Sequence, residues 1–125
     1  MTQHESRVDR RFSRRLRLLR RPDFENVYER GRRFFSGNVA VFYRRRADGT
    51  GPRIGFTVGK VLGGAVQRNR IRRRMKAAVQ NHLHEFNVPM DVVFHPRKPV
   101  LEMTFELLDA EVAGIFANLR KPGTR

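Results

Sequence analysis

The stretch that follows Gly63 and Gly64 predicts one long amphipathic helix, which ends near Phe86. Its apolar residues recur at helical spacing and form a single stripe that has to be buried against another layer of the protein. The stripe consists of Ile71, Met75, Ala78, Val79, Leu83 and Phe86. Because strands are predicted on both sides of this segment, we expect the helix to pack on a β-sheet.

The segments before the long helix predict a short helix and two strands. The short helix starts at Pro22 and closes at Gly31. Val39–Tyr43 and Arg53–Lys60 are rich in β-branched and aromatic residues and flank a turn-forming stretch at 47–52, which predicts a hairpin. In the second strand, one face carries Ile54, Phe56 and Val58 and the other carries Gly55, Thr57 and Gly59. The glycine-bearing face therefore allows a close approach.

The segments after the long helix predict a short buried strand, Met90–Phe94, and a last helix capped by Thr104. The apolar face of the last helix consists of Leu108, Val112, Ile115, Phe116 and Leu119. This order of elements predicts an α+β fold, a two-layer α/β sandwich in which helices cover a sheet. We expect residues 21–121 to form one domain, residues 1–20 a basic flexible arm and residues 122–125 a short tail.

The charge of the chain indicates a polyanionic partner. The 27 lysines and arginines against 12 aspartates and glutamates give a formal charge of +15, which is more than solubility requires. Arginine predominates, and its planar guanidinium favours contacts with phosphates and bases. Nucleic acid is therefore the expected class of partner.

Several other kinds of site and location are disfavoured. The absence of cysteine excludes disulfides and thiolate zinc sites. No stretch is apolar enough to cross a membrane or to serve as a secretory signal, so we expect a cytoplasmic protein without a membrane partner. The histidines are not at ligand spacing and no paired carboxylates are evident, so we expect no metal site and no catalytic residue in the protein.

The first half of the long helix carries the strongest indication of nucleic-acid binding. Six cations occupy the nine positions from Arg68 to Lys76, close to a helix N-terminus, where phosphate is favoured. The side chains that point away from the apolar stripe are Asn69, Arg70, Arg73 and Arg74. Arg68 and Arg72 fall beside the stripe and are interpreted as cleft residues. A solvated basic face is the competing explanation.

Two further features fit an RNA partner. Lys60 lies in the loop 59–64, which lacks the order of a nucleotide-binding loop but can present amides to a phosphate. Aromatic residues that can stack on unpaired bases are Phe24, Tyr28, Phe34, Phe35, Phe42 and Tyr43. For any one of these rings, packing in the core is the competing explanation.

These motifs together resemble the bacterial ribonuclease P protein family over roughly residues 15–121. The matching stretches are Asp23-Phe24 with Tyr28 and Gly31, Gly55–Lys60, Gly63–Val66, Arg68–Arg73 and Arg97–Pro99. Val61 and Gly64 depart from the usual pattern of the family. The resemblance implies a fold similar to the second domain of ribosomal protein S5, with a left-handed βαβ crossover through the long helix.

The resemblance also implies two RNA-binding regions. The residues expected to contact the catalytic RNA are Lys60, Arg68, Asn69, Arg70, Arg72, Arg73, Arg74 and Lys76. A cleft between the first helix and the sheet is expected to hold the single-stranded 5′ leader of precursor tRNA. The cleft residues are Phe24, Tyr28, Arg32 and Phe42.

By the same resemblance, the chain is expected to be the protein subunit of ribonuclease P, with one protein for one RNA, acting on precursor tRNA. Hydrolysis is expected from the RNA subunit, with Mg²⁺ held mainly by RNA. The alternatives are a ribosomal-type or general basic RNA-binding protein, a metal-dependent nuclease that uses residues such as Asp91, and a DNA-binding helix module.

Overall fold

A computed structural model describes residues 17–47, 49 and 51–121. Its helices are α1 (Arg21–Arg30), α2 (Ala65–Leu83) and α3 (Phe105–Arg120). Its strands are β1 (Arg17–Leu18), β2 (Arg32–Ser36), β3 (Val39–Arg45), β4 (Arg53–Phe56) and β5 (Met90–Pro96). Short 3-10 helices at Lys60–Leu62 and Lys98–Leu101 precede α2 and α3. The predicted α+β class is confirmed.

The five strands form one mixed sheet in the order β1-β4-β5-β3-β2. β4 and β5 are parallel neighbours connected by α2, so they form the βαβ unit that the resemblance implied. The predicted hairpin of Val39–Tyr43 with Arg53–Lys60 is wrong, because β5 lies between β3 and β4. β5 is buried along almost its whole length and therefore takes the centre of the sheet. The hairpin in the structure joins β2 to β3 through a two-residue turn at Gly37 and Asn38.

One face of the sheet packs against α2 and α3 and contains most of the core. All six residues of the predicted α2 stripe are buried, and so are all five on the apolar face of α3. The Thr104 side chain accepts a hydrogen bond from the Leu107 amide at 3.3 Å, which confirms the predicted cap. Local periodicity therefore identified the main contacts of this layer.

The opposite face of the sheet is covered in part by α1. Val27 of α1 packs with Leu19 and Val93 in a second, smaller apolar cluster. A Cβ added at Gly55 would lie 2.6 Å from the Phe24 ring, so the glycine is what allows α1 to approach β4. The close approach that was predicted on this face of the second strand is confirmed.

The ordered domain begins earlier than predicted. β1 pairs with β4 in parallel, and Leu19 is only 8% exposed, so residues 17–20 belong to the sheet and the core rather than to the basic arm. Leu18 and Leu19 lie between arginines, so the sequence does not indicate that this short segment joins the sheet and the core. The rest of the predicted arm and the tail at 122–125 lie outside the described residues. Within the described part of the chain, no helix has the length and apolar character to cross a membrane.

Candidate nucleic-acid interface

A groove runs between α1 and the first half of α2, beside the end of β4 that lies beyond its pairing with β1. Its volume is about 550 Å³. The lining residues are Arg21, Phe24, Glu25, Tyr28, Phe56, Thr57, Val58 and Arg72. Arg72 thus reaches a cleft from the side of the α2 stripe, which is the position predicted for it.

The groove continues across the open part of the sheet face that α1 leaves uncovered. This second part has a volume of about 450 Å³. Its lining consists of Arg33, Phe35, Ala40, Phe42, Thr57, Gly59, Val61, Leu62, His95, Pro96 and Arg97. Thr57 lines both parts, and we call the two together the aromatic groove, with a helix part and a sheet part.

Tyr28 lies where the two parts meet. Its hydroxyl is 2.9 Å from Thr57 Oγ1 and 2.6 Å from His95 Nε2, while its ring meets Phe42 edge-on at 5.2 Å between centroids. Tyr28 is nevertheless 41% exposed. Phe24 lies 6.4 Å from the Tyr28 ring between centroids. The aromatic side chains predicted as cleft residues are therefore brought together, and the orientation of Tyr28 is fixed by two hydrogen bonds.

His95 is a groove residue that the sequence did not reveal. Burial lowers its pKa from 6.5, because desolvation penalises the charged imidazolium. The ring is therefore neutral near pH 7, and in the tautomer protonated at Nδ1 its Nε2 accepts a hydrogen bond from the Tyr28 hydroxyl. The two residues are 67 positions apart, so no local motif could have linked them.

The structure does not bring Arg32 to the aromatic groove. Arg32 is opposite Tyr43 in the β2–β3 ladder and shares its face, and Tyr43 belongs to the core under α2 and α3. Arg33 is opposite Phe42 and lines the groove instead. The prediction was wrong by one residue, because side chains of a strand alternate between the two faces and β2 itself was not predicted.

The exposed face of α2 carries Asn69, Arg70 and Arg73. Within the described part of the chain, neither Arg70 nor Arg73 has a hydrogen bond or an ion pair, so both guanidinium groups are available to a partner. Arg72 donates to Asn69 Oδ1 at 2.9 Å, which holds the arginine against the surface of the helix. Lys60 is exposed at the start of the 3-10 helix before α2, and Lys76 is half-buried.

Arg74 has a structural role that differs from the prediction. Its Nε donates to the Val100 carbonyl at 3.0 Å, and its Nη2 donates to the Met103 carbonyl. Arg74 is half-buried and ties α2 to the loop before α3, instead of pointing into solvent. The carbonyls come from a segment 26 and 29 residues later, which helical periodicity cannot reveal.

The N-terminus of α2 is suited to anions. Its cap residue, Gly64, makes no side-chain capping bond, and the first turn contains no acidic residue. Gly63 has a φ of +127°, which glycine tolerates, and its carbonyl accepts from Arg68 Nε at 3.1 Å. The positive end of the helix dipole and the exposed arginines therefore act in the same direction.

Asp91 is engaged in a structural network. It is 1% exposed, and its carboxylate accepts hydrogen bonds at 2.8 Å from both Arg46 and Arg53. Its oxygens are therefore occupied by two guanidinium groups in the interior. Across residues 17–47, 49 and 51–121, no group of three or more histidine and acidic residues is placed to hold a metal ion.

Comparison with known proteins gives a consistent result. A family model described as Ribonuclease P matches residues 12–120. The ribonuclease P protein component of Finegoldia magna is 34% identical over 95 residues, which are 76% of this chain and 82% of that protein. The protein of the same description from a Geobacter species is 34% identical over 105 residues, covering 84% and 89% of the two chains.

Solved structures agree at the level of the fold. The RNase P protein from Staphylococcus aureus superposes with a TM-score of 0.72 at 23% identity, over 83% of this chain and 94% of that one. The RNase P protein from Thermotoga maritima gives a TM-score of 0.74 at 20% identity, over 84% and 98% of the two chains.

Proposed function

This chain belongs to the ribonuclease P protein family, and we propose that it is the protein subunit of a bacterial ribonuclease P that matures the 5′ ends of tRNA. One protein pairs with one catalytic RNA in this proposal, and precursor tRNA is the substrate. That role places the protein in the bacterial cytoplasm. The observation that carries the proposal is the aromatic groove, which joins the basic end of α2 through Arg72.

The exposed face of α2 is assigned to the catalytic RNA. Neither Arg70 nor Arg73 makes a hydrogen bond or an ion pair with a described residue, and both follow the N-terminal turn of α2, whose amides favour phosphate. Phosphate contacts of this kind position a protein on folded RNA without requiring a base sequence. Lys60, Arg68 and Lys76 flank the same surface in this assignment. Arg74 is not assigned to RNA binding, because its guanidinium donates hydrogen bonds to two backbone carbonyls.

The aromatic groove is assigned to the 5′ leader. Unpaired nucleotides are recognised by rings that stack on their bases and by cations that contact their phosphates. The groove provides Phe24, Tyr28 and Phe42 as rings, with Arg72 in one part and Arg33 in the other. A single strand that leaves the tRNA beside the surface of α2, where the catalytic RNA is placed, could enter the helix part of the groove and continue into the sheet part.

The protein acts by binding in this proposal, and the RNA subunit supplies the chemistry. Asp91, the acidic residue considered for a nuclease, is held by Arg46 and Arg53 and is inaccessible to substrate. Mg²⁺ prefers hard oxygen ligands, so we assign it mainly to the phosphates of the RNA. Holding leader and catalytic RNA on one protein raises the effective concentration of the substrate at the active site.

The assignment of the leader is tested by comparing two ligands of the reconstituted holoenzyme. Precursor tRNA with a 5′ leader should bind more tightly than mature tRNA when the protein is present, and the difference should shrink for the RNA alone. If the preference for precursor tRNA over mature tRNA is the same with and without the protein, the protein does not bind the leader.

A further inference from the structure

Phe35 is an exposed aromatic ring on β2, the edge strand of the sheet farthest from β1. It is 59% exposed, and the guanidinium carbon of Arg97 lies 5.1 Å from its ring centroid. Packing in the core therefore does not account for this ring. A cation over an aromatic face is an arrangement that also binds the base and phosphate of an unpaired nucleotide.

The position of Phe35 makes it continuous with the aromatic groove. Phe35 is two residues after Arg33 on β2, so both side chains share the face of the sheet that Phe42 occupies. Its direct neighbour across the ladder is Ala40, which is too small to cover the ring. The cluster of α1 reaches Val93 and Phe42 but does not include Phe35, so this end of the sheet face is open.

The backbone around Phe35 and Arg97 is held in place. The Arg97 amide donates to the Asn38 carbonyl at 2.9 Å, which fixes the strand end beside the β2–β3 turn. From α3, the Glu111 carboxylate accepts from the Asn38 amide at 2.7 Å and from the Ser36 hydroxyl. An exposed ring on a fixed backbone loses little conformational freedom when a ligand stacks on it.

The charge of the surroundings selects the ligand. The sheet part of the groove is lined by Arg33 and Arg97 and by no aspartate or glutamate among the described residues. Such a surface attracts phosphate, while the exposed ring offers an apolar face to a base. An unpaired nucleotide satisfies both features at once.

We propose that Phe35 and Arg97 form a second stacking platform, which binds leader nucleotides lying farther from the tRNA than those at Tyr28 and Phe42. The inference rests on the proposed function. Because β2 is three strands away from β4, the platform lies about 14 Å beyond Thr57 across the sheet. Only a leader long enough to cross this distance can reach it.

The test measures the affinity of the reconstituted holoenzyme for precursor tRNAs with a graded series of leader lengths. Phe35→Ala and Arg97→Gln should each weaken binding about fivefold or more for the long leaders and leave the shortest leader unchanged. Phe35→Tyr should restore binding, because it keeps the ring. Leu107→Ala and Arg45→Gln are matched controls, since both residues are exposed and neither lines the groove.

Three results would overturn the platform. They are unchanged affinity for every leader, an equal loss of affinity for every leader, or a loss of affinity that Phe35→Tyr fails to restore.

Binding of the free protein to a short unpaired RNA oligonucleotide, compared with the same strand in a duplex, supplies a second readout. If the wild-type holoenzyme ignores the leader but Phe35→Ala still weakens binding of the unpaired oligonucleotide, the leader assignment fails and a stacking platform remains. If neither the binding of precursor tRNA with a long leader nor the binding of the unpaired oligonucleotide depends on Phe35, the platform itself fails.

Discussion

The hydroxyl of Tyr28 lies 2.6 Å from Nε2 of His95, which joins α1 to the central strand across the floor of the aromatic groove. Thr57 makes the second contact of the same hydroxyl at 2.9 Å. The ring is thus exposed for stacking, while its hydroxyl is held by a residue of β5 and by the residue that follows β4. This relationship links α1, which covers part of the sheet face, to the residues that form the groove.

Removing the hydroxyl of Tyr28 should weaken leader binding while the fold persists. We expect Tyr28→Phe to lower holoenzyme affinity for precursor tRNA by up to about tenfold, because a lost hydrogen bond is worth about 0.5–1.5 kcal/mol. Tyr28→Ala, which also removes the stacking ring, should cost about 1–3 kcal/mol. Affinity for mature tRNA should stay the same in both variants, and an equal loss for both ligands would contradict the assignment.

His95 should make the stability of the protein depend on pH. Its pKa is lowered from 6.5 in the folded state, so the unfolded chain binds more protons between the two pKa values. The stabilisation is therefore present above pH 6.5 and is lost as the pH falls through the lowered pKa. His95→Gln, which cannot titrate, should show a smaller drop in Tm over this range.

The difference between wild type and His95→Gln isolates this residue from the other histidines. The groups that face His95 are Tyr28, Thr57 and Phe42, with Arg33 and Arg97 lining the same part of the groove. Parallel changes of Tm with pH in the two proteins would show that His95 does not titrate in this way.

Arg70 and Arg73 should account for part of the salt dependence of RNA binding. Replacing both with alanine should lower affinity for the catalytic RNA and reduce the slope of log K against log salt by about one for each lost phosphate contact. The measurement is a titration of the RNA at several salt concentrations. An unchanged slope would contradict the assignment of this face.

Arg74 supplies the matched control from the same helix. Because Arg74 donates to the carbonyls of Val100 and Met103, Arg74→Ala should lower the free energy of unfolding by about 1.5–3 kcal/mol. It should leave the salt slope nearly unchanged under conditions where the variant is folded. A large change in the slope of log K against log salt would show instead that Arg74 contacts the RNA.

Asp91 should matter for stability and not for chemistry. Asp91→Ala leaves Arg46 and Arg53 without their shared buried partner, which should lower the free energy of unfolding by about 3–5 kcal/mol in a urea titration. Glu29→Ala is the control, because this carboxylate is exposed and lines neither part of the aromatic groove. A variant as stable as the wild type that no longer supports cleavage would instead indicate a catalytic carboxylate.

The parts of the fold that depend on local pattern were predictable from the sequence. The stripe of α2 and the cap at Thr104 depend on spacings of a few residues, and both are present. Strand pairing was not predictable in the same way. β5 separates β3 from β4 although it follows them by many residues, and a turn signal does not say which strands become neighbours.

The candidate site shows the same difference between features set by local sequence and features set by strand pairing. Phe24, Tyr28 and Phe42 were identified as aromatic residues and do meet, whereas their partner His95 comes from a distant strand. Arg32 is the predicted groove residue, but Arg33 lines the groove, because the register of β2 with β3 puts Arg33 on the face of Phe42. Side-chain type was therefore readable, but the face on which a residue lies required the register of the sheet.

In the function that we propose, this protein assists cleavage by a catalytic RNA. The most direct measurement is cleavage of a precursor tRNA at low Mg²⁺ by a bacterial ribonuclease P RNA, with the protein, without it, and by the protein alone. We expect correct 5′ cleavage to be stimulated only when RNA and protein are both present. No stimulation, or cleavage by the protein alone, would contradict this role of the protein.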